Sequence, residues 1–186
     1  PRGWSNTCAS VRRGREWTRR AETTRDARQR RTQVTEPPSC ARIRPIVIGL
    51  FRHNGAILVA EGHDPVMGET FYRPIGGAIE FGETSAEALV REVREELAEE
   101  ITDLKYLGTL ENIFTFDGNT GHEIVQVYDA RFTDAAVYDR GALDGYEADA
   151  SVEEFTATWI PVAAFEGDDG RIIYPDGLLD MLRVAA

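Results

Sequence analysis

Three glutamates in this chain have a spacing suited to holding a hard metal ion. Glu92, Glu95 and Glu96 stand at positions i, i+3 and i+4, so on a helix they share one face. That face adjoins an apolar stripe, where repulsion between crowded carboxylates is screened less than at an open surface. A divalent cation would relieve the repulsion. Because the ligands are oxygens without Cys or His, the pattern favours Mg²⁺ or Mn²⁺ over Zn²⁺.

The segment around these glutamates has the pattern of a capped amphipathic helix over residues 84–98. Thr84 is a suitable N-cap, and Glu87 three residues later completes a capping-box pattern. A solvated surface helix with ion pairs such as Glu87–Arg91 has similar features, and the three glutamates alone do not exclude it. The residues at helical spacing that should be buried are Ala86, Leu89, Val90, Val93 and Leu97.

The loop before this helix has residues that allow close backbone approach. Gly76 and Gly77 let a carbonyl approach a metal, or a phosphate approach the chain. Glu83 precedes Arg91 by eight residues, and an ion pair between them would pin the loop to the helix.

The longer pattern resembles the Nudix box, written in that family as G-x5-E-x7-R-E-U-x-E-E-x-G-U, where U is a bulky aliphatic residue. Two positions depart from it, since Ala98 replaces the Gly that normally ends the helix and Glu99 replaces the last aliphatic residue. We expect Ala98 to let the helix run further, with Ile101 supplying the apolar contact. The positions that match are Gly77, Glu83, Arg91, Glu92, Val93, Glu95 and Glu96.

The resemblance implies a metal-dependent hydrolase that cleaves the pyrophosphate bond of a nucleoside diphosphate linked to another moiety. In that family the glutamates matching Glu92, Glu95 and Glu96 bind Mg²⁺, for which Mn²⁺ can substitute, and the Gly76 carbonyl is a further ligand candidate. Glu83 and Arg91 join Glu92 and Glu95 as the expected catalytic set. Bound cations lower the pKa of water, so an alkaline optimum is expected.

The general base has several candidates. Glu92 is one, and some family members use a glutamate from a later loop. The later candidates here, each interpreted as a surface carboxylate, are Glu111, Glu123, Glu147, Glu153 and Glu154.

The sequence is less specific about substrate recognition. Arg52, Arg73 and His122 are candidates for phosphate contact, and His122 is interpreted as an exposed strand residue. Tyr174 precedes a Pro-Asp-Gly turn and is a further weak candidate for substrate binding. Several aromatic residues could stack on a base, although core packing is the favoured interpretation for each: Phe114, Phe116, Tyr128, Tyr138, Tyr146, Trp159 and Tyr174.

The remaining elements predict an α+β fold, which the resemblance refines to an α/β/α sandwich with a mixed sheet flanked by helices. Asn54-Gly55 between apolar runs is a hairpin signal. Helices are expected at 84–98 and 177–184, and strands at 46–51, 56–60, 71–73, 78–79, 104–110, 113–116, 122–132 and 155–160.

Charge divides the chain into two parts. Residues 1–44 hold 12 Arg and 4 acidic residues, net +8, whereas the remainder holds 9 basic and 28 acidic residues, net −19. We interpret 1–44 as a disordered basic tail and 45–186 as the catalytic domain. The tail is interpreted as an upstream extension from a mis-assigned start or as functionless. The alternatives are an arm that binds nucleic acid or an acidic surface, and an organelle transit peptide.

The expected partner is a small nucleotide-type substrate. Nucleic acid would bind only through the tail, membrane association is not expected, and a homodimer is possible by analogy with the family. Cys8 and Cys40 are the only cysteines, which suits the reducing cytoplasm. The competing function is a Nudix-fold sensing or binding module without turnover, against which the complete glutamate set argues.

Overall fold

The computed structural model describes residues 42–147, 153–167 and 170–184. Most of the predicted basic tail, with Cys8 and Cys40, lies outside the described residues. The first strand begins at Arg44, one residue inside the segment predicted as tail. The strands are β1 Arg44–His53, β2 Ala56–Asp64, β3 Glu69–Pro74, β4 Ile101–Phe116, β5 Asn119–Phe132, β6 Ala142–Glu147, β7 Glu153–Pro161 and β8 Ile172–Ile173, and the helices are α1 Ser85–Leu97 and α2 Leu178–Val184.

The central strand β1 is apolar on both faces, which places a helix-covered layer on each side of the sheet. Val47 and Phe51 pack with Leu89 and other α1 residues in one buried cluster. Ile48 and Leu50 point the other way and join the α2 residues Leu178 and Leu182 in a second cluster. This alternation is what period-two side-chain geometry requires of a strand buried twice, and it confirms the predicted α+β fold with flanking helices.

The sheet is mixed, in the order β4-β5-β1-β2-β3-β8, with β6 joined to β7 and β7 to β2. β1 runs parallel to β5 but pairs with β2 only next to their turn. The edge of β1 that faces away from β5 therefore pairs with the loop that contains Gly76 and Gly77. Val47 N donates to Gly77 O at 2.9 Å. Gly49 N donates to Ile75 O, also at 2.9 Å. The loop before α1 is thus held against the middle of the sheet.

The β1–β2 hairpin confirms the Asn-Gly signal. Asn54 and Gly55 have φ of 49° and 76°, the left-handed pair that a two-residue hairpin turn of matching twist needs.

The strands after α1 differ from the prediction. β4 is one strand, not the two predicted at 104–110 and 113–116, and it pairs with β5 along most of its length. Register shifts between Thr102 and Lys105 and between Tyr106 and Gly108 interrupt the alternation, which hid the continuity in the sequence. β6 was not predicted.

The expectation that Ala98 prolongs the helix is wrong. α1 ends at Leu97, and Ala98 takes the left-handed conformation, with φ 56° and ψ 30°. Its N–H donates to Arg94 O at 3.1 Å, which closes the helix as a glycine would. Ile101 packs at the margin of the α1 cluster.

None of the helices in the described ranges is long and apolar enough to cross a membrane.

Candidate active site

Five glutamates line one cavity of about 510 Å³, which we call the carboxylate cavity. Glu92, Glu95 and Glu96 come from α1, Glu123 comes from β5, and Glu80 comes from the loop before α1. Glu96 and Glu123 are each only 8% exposed. Three arginines, Arg44, Arg73 and Arg91, line the same cavity and bring positive charge to these carboxylates. The other lining residues used below are Arg44, Arg73, Gly76, Gly77, Arg91, Asn112, Tyr174 and Pro175.

The start of α1 is fixed by the predicted capping box. Thr84 Oγ1 accepts from Glu87 N at 3.3 Å, and the Glu87 carboxylate accepts from Thr84 N at 2.8 Å. The backbone bond from Thr84 is the main reason that the pKa of Glu87 is lowered. Glu87 therefore serves the cap, and Arg91 turns to other partners instead of the Glu87–Arg91 pair expected for a solvated helix.

Arg91 joins the loop to the helix. Its Nη2 lies 2.7 Å from Glu83 Oε1 and its Nε donates to Glu83 Oε2 at 3.2 Å, so the contact is bidentate. Nη2 also donates to the Ala78 carbonyl at 2.9 Å. The hydrogen bonds from Arg91 lower the pKa of Glu83, and Glu83 in turn raises the pKa of Arg91. The ion pair predicted from the eight-residue spacing is present.

The two loop glycines are required by close approach. A Cβ on Gly77 would lie 2.4 Å from Glu92 Oε1, and a Cβ on Gly76 would lie 2.2 Å from the Val47 carbonyl oxygen. Gly76 also has φ 143°, in the region that favours glycine. Together they let the loop lie between β1 and the Glu92 carboxylate.

The cavity glutamates have the ligand atoms that a hard divalent cation prefers, but their side chains are not arranged around one metal position. All five cavity carboxylates offer oxygen, the ligand atom that Mg²⁺ and Mn²⁺ prefer. Within the described ranges, however, no three His, Cys, Asp or Glu side chains are arranged to hold a metal ion as they stand. Arg91 Nη1 lies 3.1 Å from Glu92 Oε1 and 3.0 Å from Glu95 Oε2, so Arg91 engages one oxygen of each of these carboxylates.

Glu123 is the main correction to the predicted site. It was interpreted as a surface carboxylate, yet it is buried, lines the carboxylate cavity and forms an ion pair with Arg44. The parallel pairing of β1 with β5, which sets Arg44 beside Glu123, brings it there. Nothing in the local sequence of β5 signals that pairing.

A second cavity, of about 580 Å³, adjoins the first, and we call it the aromatic cavity. Five rings line it: Phe71, Phe114, Phe116, Phe155 and Tyr174. The two cavities share Arg44, Arg73, Asn112, Glu123 and Tyr174, which form their junction. Core packing was the favoured interpretation for Phe114, Phe116 and Tyr174, and their place on this wall corrects it.

A family model described as the NUDIX domain matches residues 42–176. The chain belongs to the NUDIX domain family. A NAD-capped RNA hydrolase NudC from Pseudomonas putida (strain W619) is 41% identical over 71 residues, which cover 38% of this chain and 25% of that protein. The match spans between a quarter and a third of the length of the curated relatives.

Two solved structures are similar in fold to this chain. The MutT NUDIX hydrolase from Burkholderia pseudomallei aligns with a TM-score of 0.54 and 18% identity, covering 77% of this chain and 99% of that one. The E. coli ORF135 protein aligns with a TM-score of 0.50 and 22% identity, covering 80% and 94%. At these identities the likeness concerns the fold.

The weaker candidates for substrate binding differ in whether they line a cavity. Arg73 and Tyr174 lie at the junction, whereas Arg52 lines neither cavity and its Nε lies 2.9 Å from Asp129 Oδ1. His122 Nε2 lies 2.9 Å from Glu111 Oε1, in a pair outside both cavities.

The other candidates for base stacking and the later glutamates also differ in where they lie. Tyr128, Tyr138 and Trp159 pack against the α1 cluster as expected of core residues, and Tyr146 is 50% exposed outside both cavities. Glu154 lines the aromatic cavity. The side chains of Glu147 and Glu153 lie outside what the structure describes.

Proposed function

We propose that the chain is a Nudix-type hydrolase that cleaves the pyrophosphate bond of a nucleoside diphosphate linked to another moiety, with Mg²⁺ or Mn²⁺ in the carboxylate cavity. The observation that carries the proposal is the convergence of Glu92, Glu95, Glu96 and Glu123 on one cavity beside the glycine loop. A charge-rich surface helix alone would not gather carboxylates from a helix and a strand around one space, because their repulsion opposes it.

In this proposal Glu92, Glu95 and Glu96 hold the metal, with the Gly76 carbonyl as a further ligand. Bound cations neutralise phosphate oxygens and lower the pKa of water. The chain's own part is to bring these carboxylates together and to leave space for them beside the glycine loop. Gly77 provides that room at Glu92, where any Cβ would collide with the carboxylate.

Glu123 and Glu92 are the two candidates for the base that takes a proton from the attacking water. Glu123 projects from the sheet, whereas Glu92 projects from α1, so the two carboxylates approach the cavity from different elements. Arg44 forms an ion pair with Glu123, which holds this carboxylate at the junction of the two cavities.

Glu83 and Arg91 act as positioning residues. Their bidentate contact and the bond from Arg91 to the Ala78 carbonyl hold the glycine loop on the α1 glutamates. A charge-assisted pair of this geometry fixes direction as well as distance.

Arg73 and Arg44 at the junction suit substrate phosphates, and Tyr174 lies beside them. The match to a relative named as an NAD-capped RNA hydrolase supports including NAD and NAD-capped RNA among the substrates tested. A cytoplasmic location, a homodimer and nucleic-acid binding through residues 1–44 stay predictions, as does the division of the chain at residue 44.

The test is product release from a panel of nucleotide pyrophosphates with Mg²⁺ or Mn²⁺, comparing the native chain with a Glu95→Gln/Glu96→Gln variant. The panel should include NAD, NAD-capped RNA, ADP-ribose, nucleotide sugars, dinucleoside polyphosphates and oxidised nucleoside triphosphates. Turnover that the variant loses supports the proposal. Ligand binding by the native chain without turnover of any substrate would favour a sensing module instead.

A further inference from the structure

The aromatic cavity is built by a repeated device. Phe71, Phe114 and Phe155 each lie opposite a glycine on the neighbouring strand, in the pairs Gly62–Phe71, Gly121–Phe114 and Gly145–Phe155. In all three pairs a Cβ on the glycine would lie 2.4 Å from the ring's Cζ. Each ring therefore lies over the glycine backbone, and the three pairs come from three different hairpins.

Two further rings complete the wall. Phe71 contacts Phe116 at 6.0 Å and Tyr174 at 5.6 Å between ring centroids, both edge-on. Phe116 is 42% exposed, so the wall opens to solvent and is accessible to a flat ligand. Stacked aromatic rings bind nucleobases with little dependence on base identity.

Charge is distributed unequally along this cavity. Arg44 and Arg73 lie only at the junction with the carboxylate cavity. The part that belongs to the aromatic cavity alone carries the acidic residues Glu61, Asp64, Glu69 and Glu154 together with His63. A ligand lying across both regions would place its phosphate at the arginines and a group without negative charge among the rings.

We propose that the aromatic cavity is the subsite for the nucleobase of one half of the substrate, and that it selects an uncharged base and rejects an anionic one. The proposal rests on the proposed function for its substrate class. The acids provide acceptors for amino or amide N–H groups of the base, although Glu61 and Asp64 already accept protein hydrogen bonds. Glu61, Glu69 and Glu154 are exposed, whereas Asp64 is buried.

The test measures binding to the full chain, so it does not depend on turnover. Calorimetric or NMR titration with Mg²⁺ would compare uridine 5′-monophosphate with ribose 5-phosphate, which lacks the base. We expect the nucleotide to bind about tenfold more tightly or better, the range of one base stacked on protein rings. The charge arm compares 5-methyluridine and 5-carboxyuridine 5′-monophosphates, and we expect the carboxylate to weaken binding about tenfold.

Two variants and a control locate the effect. Phe71→Leu removes one ring, and Gly121→Ala keeps Phe114 but displaces its ring from the glycine. Either should lower the preference for the nucleotide over ribose 5-phosphate, and if one fails to fold the other suffices. Tyr146→Leu removes a ring outside both cavities and should leave the preference unchanged.

The outcomes separate this inference from the proposed function. Base-dependent binding that the variants reduce supports the subsite even in a chain that hydrolyses nothing. Equal binding of all four probes, or a preference unchanged in both variants, would overturn the subsite while leaving metal-dependent hydrolysis intact.

Discussion

The two cavities lie side by side but are assembled from the chain in different ways. Three of the five carboxylates in the carboxylate cavity come from one helix, α1, and a fourth, Glu80, comes from the loop that directly precedes that helix. The rings of the aromatic cavity come from β3, β4, β7 and the segment before α2. Most carboxylates of the first cavity lie in one contiguous segment, whereas the second cavity forms only when several strands pair in their correct register. Chemistry held by a local motif can be located in a sequence before the shape of the substrate site can.

Among variants that distinguish the two cavities, we expect the largest loss of activity at Glu96. Glu96→Gln should lower kcat by more than about 10²-fold, beyond the usual effect of losing a group that only orients a ligand. Steady-state hydrolysis measures it, with circular dichroism to confirm folding. Glu100→Gln is the control, because Glu100 pairs with Arg94 outside both cavities. Equal losses in the two variants would mean that the cavity glutamate has no special role.

The loop–helix pair should have the next largest effect. Glu83→Gln is expected to lower kcat by about 10–100-fold, because it frees the glycine loop from Arg91. The pKa of Glu83 is lowered below its ordinary value of 4.5, so the pair is intact above that pH and is lost only as pH falls below it. The defect should therefore be constant between about pH 6 and about pH 9, a range in which Glu83 stays ionised.

The matched control for that variant is Glu87→Gln. Glu87 serves the cap of α1, and a glutamine can take its place in a capping box. We expect a small fall in Tm and a kcat close to that of the native chain. A larger loss of kcat than in Glu83→Gln would reverse the proposed roles of the two residues.

Substitutions in the aromatic cavity should change KM and not kcat. Phe116→Ala is expected to raise KM about tenfold with little change in kcat, since it removes base stacking without touching the carboxylates. Tyr146→Ala serves as the control. A fall in kcat with unchanged KM would show that the ring supports the reaction centre and not substrate binding.

The smallest effect concerns the end of α1. Ala98→Gly should raise the free energy of unfolding by about 1 kcal/mol, because glycine adopts the left-handed conformation without a Cβ clash. Urea denaturation measures it, and kcat should not change. A lower midpoint would indicate that the terminus of α1 relaxes in solution and that Ala98 is not strained.

The contrast between the cavities also explains what the sequence could predict. Two local features were predictable because their partners are close in sequence. These are the capping box of Thr84 and Glu87, three residues apart, and the Glu83–Arg91 ion pair, eight residues apart. The left-handed conformation of Ala98 was not predictable, because alanine rarely adopts it and only the end of α1 imposes it. Glu123 was missed because the pairing of β1 with β5 decides its burial, and these strands lie far apart in sequence.

The most direct test of the central claim is metal removal and replacement. The native chain, treated with excess EDTA and dialysed, should lose hydrolysis of a substrate found in the panel, and Mg²⁺ or Mn²⁺ should restore it. The Glu95→Gln/Glu96→Gln variant should not be restored at the same metal concentration. Full hydrolysis in excess EDTA would contradict a metal-dependent reaction in the carboxylate cavity.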